Sequence, residues 1–169
     1  MHFNDRRYAD DDLTLGSIDA YPVFRIFHEI ALFEWETGRR ADIAYMIDQS
    51  HNLKNKIEEM IQTAVTAQEL YAKAALVDHE ALAGCQSRSE LVDAEECLKQ
   101  GFATDVRPMI QEWRKANGIP VELLKAFRDS GYLERAARER AEKKAPLSPA
   151  TLADRSDSAM GKCSGSTRK

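Results

Sequence analysis

Residues 43–52, IAYMIDQSHN, constrain this chain more than any other stretch. Ile43, Ala44, Tyr45, Met46 and Ile47 are mostly apolar, with an aromatic and β-branched residues, and predict a short buried strand. That strand runs directly into Asp48, Gln49, Ser50 and His51. The rigid, open carboxyl end of a buried strand is where α/β folds place their chemistry. The same residues also read as an ordinary strand exit whose polar groups are merely solvated. A buried strand needs partners for its N–H and C=O groups. The chain offers residues 43–47 almost none, only a possible strand end at residues 1–4.

With 169 residues the chain is long enough for one domain with a sizeable core. Its 24 Lys and Arg against 28 Asp and Glu give a formal charge of -4, and no dense basic stripe occurs. That balance argues against a nucleic-acid partner. No apolar run has the length of a bilayer span and no signal-peptide core follows Met1, so no membrane association is expected. Cys85, Cys97 and Cys163 are odd in number and lack metal-ligand spacing. Free thiols in a reducing compartment follow, and with them a cytoplasmic location.

The opening segment MHFNDRRYADDDL crowds His2, Asp5, Asp10, Asp11 and Asp12 together. Such repulsion is relieved by solvent, by a cation or by neighbours such as Arg6 and Arg7. In an extended loop the alternate carboxylates of Asp10 and Asp12 can point the same way. Paired hard oxygens suit Mg²⁺ or Mn²⁺, and an imidazole from His2 would favour Mn²⁺ or Co²⁺. A plain solvated acidic terminus is the competing reading.

Helices dominate the remainder. Ser17 is expected to cap the first, with Asp19 at its positive end and Pro22 in its first turn. Phe24, Phe27, Ile30 and Ala31 form its apolar face, His28 and Glu29 fall outside that stripe as surface residues, and Gly38 ends it. Asn52 or Asn55 caps a long helix running to about residue 83, with Ile57, Met60, Ile61, Ala64, Gln68, Tyr71 and Ala75 on one face and Gly84 as the stop. Met60 and Tyr71 read as ordinary packing residues. Further helices carry Leu91, Ala94, Leu98 and Phe102, then Ile110 and Trp113, then Leu123, Leu124 and Phe127. Residues 132–144 alternate in charge like a solvated helix. Two parts result: 1–144, folded, and 145–169, a Pro/Ser/Gly-rich tail expected to be disordered.

The stretches HFNDRRYADDDLTLGSI, YMIDQSHN, YAKAALVDHEALAG, LKQGFATDVRPMI and SGYLERAARERA together resemble the C-terminal part of the bacterial L-rhamnose isomerases, in the xylose-isomerase-like superfamily. The likeness runs from His2 to about Ala141, and DDDL and DQSHN at their separation are its most specific elements. It implies an α/β fold: the C-terminal portion of a (β/α)8 TIM barrel, mostly helical with one full strand, plus a C-terminal helical extension. It implies that His2 and Asp48, at the ends of the seventh and eighth barrel strands, bind a structural metal. Asp10 and Asp12 would hold a second, catalytic metal, and Ser50 would line the substrate pocket. No role attaches to Asp5, Asp11 or His51, and no catalytic residue is assigned within the chain.

The activity so implied is metal-dependent aldose–ketose isomerisation, L-rhamnose to L-rhamnulose, with two divalent ions, Mn²⁺ foremost, or Mg²⁺ or Co²⁺. The partners so implied are a small sugar and either further copies in a homotetramer or the missing N-terminal part of the barrel. Because the earlier strands and their bridging carboxylate lie outside it, the chain is expected to be a fragment, inactive alone. A helical interaction module, a remnant without catalysis, is the alternative. The joint presence of His2, Asp10, Asp12, Asp48 and Ser50 favours the isomerase.

Overall fold

The fold starts from a single pairing of short extended segments, around which helices pack. The computed structural model describes residues 1–9, 11–49 and 54–144. In order these form β1 (His2–Phe3), α1 (Ala20–Thr37), β2 (Met46–Ile47), α2 (Lys56–Ala75), α3 (His79–Ser87), α4 (Leu91–Ala103), α5 (Arg107–Ala116), α6 (Leu123–Asp129) and α7 (Tyr132–Lys144). The backbone clusters into two units, Met1–Asp129 and Ser130–Lys169. In the second, α7 opens with the Arg135 N–H donating to the Gly131 carbonyl. The tail expected from residue 145 onward, with Cys163, lies outside the described residues.

The expectation of a TIM-barrel portion is overturned. The described residues form seven helices and one two-stranded parallel sheet, and no barrel is seen. Closing a barrel needs a ring of tilted, paired strands, whereas the ladder here joins only His2 to Met46 and Phe3 to Ile47. Residues 43–45, expected as strand, lie outside the ladder. Nearly all other apolar patterning has a helical period, so the chain spends its hydrophobic surface on helix packing instead.

α1 forms as its spacing predicts. Phe24, Phe27, Ile30 and Ala31 are buried, and Gly38 closes the helix at φ 65 with its N–H on the Glu34 carbonyl. The start differs from expectation. Ser17 does not cap, and Asp19 occupies the N-cap without a side-chain bond. Asp5 Oδ2 instead accepts the backbone N–H groups of Ile18 (2.8 Å) and Asp19 (3.1 Å). A carboxylate far back in the chain thus serves the helix's positive end. His28, read as a surface residue, is buried, because α3 covers that flank of α1 and its His79 ring packs on His28.

α2 is capped by Asn55, whose Oδ1 accepts from the N–H groups of Ile57 and Glu58. Its buried residues are Glu59, Thr63, Leu70 and Ala74. That face lies one residue round from the expected one, so Met60 is exposed and Tyr71 only half-buried. The single long helix also breaks after Ala75: Asp78 accepts from the Ala81 N–H at 2.9 Å and starts α3, which contains Gly84. No helix among the described residues is long and apolar enough to cross a membrane.

α4 lies against the end of α2 through Gly101. A Cβ placed there would meet Val77 Cγ2 at 2.5 Å. Alanine is a better helix former than glycine by about 1 kcal/mol, but overpacking against a buried valine costs about 1–3 kcal/mol. Gly101→Ala is therefore expected to lower stability in urea unfolding. A rise in the unfolding midpoint would show that the helices separate freely.

Candidate functional site

Strand alternation divides the small sheet into two faces. Phe3, Tyr45 and Ile47 point toward the helices and line a cavity, while His2, Met46 and Asp48 take the other side. The Met46 N–H donates to the Met1 carbonyl at 2.9 Å and the Asp48 N–H to the Phe3 carbonyl at 3.1 Å, so parallel pairing continues up to Asp48. His2 Nδ1 consequently stands 3.5 Å from Asp48 Oδ2, with the two side chains 60% and 59% exposed. In water such a pair alone is worth little, about 0–1 kcal/mol.

The acidic opening segment folds through its own carboxylates. Asp5 and Leu13 exchange backbone hydrogen bonds of 2.8 and 2.7 Å. Asp11 Oδ2 accepts from the N–H groups of Arg7 and Tyr8, and Asn4 Nδ2 donates to Asp12 Oδ1 at 2.8 Å. Asp5 and Asp11 are thus occupied by backbone donors. Asp12 sits in the left-handed region at φ 47, as does Ala9 at φ 41. Asp10, Ser50 and His51 lie outside the described residues.

His2 and Asp48 offer one imidazole and one carboxylate, donors suited to a divalent ion. Among the described residues no three His, Cys, Asp or Glu side chains converge to hold a metal. The donors present fit two positions of a ligand set that ordinarily needs four or more.

Two polar clusters escaped the sequence reading. In the first, Lys54 Nζ donates to Thr14 Oγ1 at 2.9 Å and the Thr14 hydroxyl donates to Glu59 Oε1 at 2.9 Å. Gln49 Nε2 donates to Thr63 Oγ1 beside them. Glu59 and Thr63 are each only 1% exposed. No periodicity signals this, because Glu59 falls next to the apolar stripe that α2 was expected to bury.

The second cluster edges the cavity of about 440 Å³ beneath the sheet, whose walls include Phe27, Ala67 and Tyr71. The Tyr71 hydroxyl donates to Glu34 Oε2, and Glu34 Oε1 accepts the Ala41 N–H at 2.9 Å. The Tyr71 bond, then the Ala41 bond, hold the Glu34 carboxyl below its usual range. Burial, aided by the hydrogen bond to Glu34, pushes Tyr71 up to about 12, and burial likewise raises Tyr45.

Against known proteins, no family model matches the chain. It is 42% identical over 140 residues to a probable sugar isomerase of Rhizobium meliloti and 40% identical over 140 residues to one of Mesorhizobium japonicum. Each alignment covers 83% of this chain and 33% of the relative, so the chain spans about a third of the length of the curated relatives it matches.

The Tyr71–Glu34 pair makes a pH prediction. A tyrosine whose folded value lies above its unfolded value near 10 stabilises the fold fully below pH 10, and that contribution disappears as pH rises through 12. Absorbance titration should show one tyrosine ionising last, near pH 12, and Tyr71→Phe should remove that step. A titration unchanged by Tyr71→Phe would refute the pairing.

Proposed function

We propose that this chain serves aldose–ketose isomerisation of the L-rhamnose to L-rhamnulose type, supported by divalent metal. The observation that carries the reading is the meeting of His2 and Asp48 on one face of the parallel pair, 3.5 Å apart. The likeness to proteins named probable sugar isomerases supports the same reading. Moving hydrogen between neighbouring sugar carbons places negative charge on adjacent oxygens, and a divalent ion supplies Lewis-acid stabilisation of that charge. Within this chain His2 and Asp48 present ligand atoms on a sheet face open to solvent. Asp12, fixed by Asn4, and Asp10 are proposed as donors for a second ion, and Ser50 as a contact for the sugar. With two donors meeting among the described residues, the other ligands are proposed to come from polypeptide equivalent to the part of the relatives outside the alignment.

Two measurements test this. Calorimetry with Mn²⁺ on the purified chain should give weak binding that His2→Ala and Asp48→Ala both reduce. Ketose formation from L-rhamnose should be absent with the chain alone and appear when it is co-expressed with the unaligned part of the Rhizobium meliloti relative. There Asp48→Ala should cost several kcal/mol of transition-state stabilisation, on the order of a thousandfold in rate. Mn²⁺ binding indifferent to both substitutions would overturn the site. Unchanged ketose formation in the Asp48→Ala complex would overturn its role in the reaction.

A further inference from the structure

Two buried imidazoles that the isomerase reading does not use meet between α1 and α3. His28 is 4% exposed and His79 6% exposed, and their ring centroids lie 5.2 Å apart at an interplanar angle of 40°. Each keeps one ring nitrogen, His28 Nε2 and His79 Nδ1, buried and without a hydrogen-bond partner among the described residues. Trp35, also on α1, covers His79 with ring centroids 5.7 Å apart, and its indole is half exposed.

A neutral imidazole can leave its acceptor nitrogen dry at modest cost. Protonation turns that nitrogen into a second donor with nothing to receive it, and adds a charge to a buried site. The charged groups facing the pair come from both flanking elements. Glu29 Oε1 lies 3.5 Å from His28 Nδ1, on the solvent side. Glu36 of α1 and Asp78, which caps α3, favour a proton on His79, whereas burial and the neighbouring His28 oppose it. The opposition prevails, and His79 titrates below its ordinary value of 6.5.

We propose that the His28–His79 contact forms a pH-sensitive clasp, closed while His79 is neutral and loosened at the α1–α3 contact when mildly acidic solution supplies it a proton. The sign follows from linkage. With the folded value below the unfolded one, the contribution is complete above pH 6.5 and is lost as pH falls from there toward the folded value. As pH falls below 6.5, proton uptake by the unfolded state lowers the folding constant through His79.

The test uses the full chain carrying Trp113→Phe, so that of its two tryptophans only Trp35 reports. Emission and the urea midpoint are followed from pH 8 to pH 5. Imidazolium quenches an indole it touches, so emission should fall as pH drops through the lowered value of His79, and the midpoint should drop from pH 6.5 downward. Both changes should vanish in His79→Phe and in His79→Gln, two replacements chosen so that one misfolded variant does not decide the matter. Both should persist in the His2→Gln, His51→Gln double variant. Absence of the transition, its survival in either folded His79 variant, or its loss in the double variant would overturn the clasp.

Discussion

Phe27 is the side chain on which the sheet depends. It is 3% exposed and meets Phe3 of β1 at 5.4 Å, Tyr45 ahead of β2 at 6.4 Å and Tyr71 of α2 at 6.0 Å between ring centroids. A ladder of two residues per strand cannot stand alone in water. Burying a phenylalanine contributes about 1.5–3 kcal/mol, against about 0–1 for an exposed imidazole–carboxylate contact. Aromatic packing under the sheet therefore sets the distance between His2 and Asp48 above it, and their own attraction does not.

A second fastening lies beyond Asp48. Gln49 is tied to Thr63, and Lys54 is tied through Thr14 to Glu59. These bonds pin both flanks of the segment leaving β2 to the buried face of α2. Glu59 at 1% exposure makes the arrangement demanding, since a buried acceptor deprived of its donor costs about 1–3 kcal/mol. Thr14 comes from the loop that carries the acidic cluster, so the same bond also sets that loop against α2.

What the sequence revealed and what it hid divide along the range of the interactions. α1 was readable from Phe24, Phe27, Ile30 and Ala31, and its end from Gly38, because period and αL glycine are local signals. Asn55 at the head of α2, one of the two expected caps with Asn52, was readable for the same reason. The buried face of α2 was not: Glu59 and Thr63 are interior only because Thr14 and Gln49 satisfy them, partners that are distant in sequence. His28 lay hidden likewise, since its cover comes from α3. The barrel expectation failed because it came from likeness to a longer fold, whereas the ladder here extends over two residue pairs. His2 and Asp48 were named from that same likeness, and the structure brings them together; Asp12 it holds in a separate contact with Asn4.

The acidic opening segment is held by its own polar groups as well as by the sheet. Ala9 and Asp12 both adopt left-handed backbone at φ 41 and 47, which costs an alanine about 1–2 kcal/mol, whereas aspartate visits that region readily. The surrounding bonds over-determine the loop: Asp5 to Leu13, Asp11 to two N–H groups, Asn4 to Asp12. These bonds offset the cost at Ala9 and hold Asp12 beside Asn4.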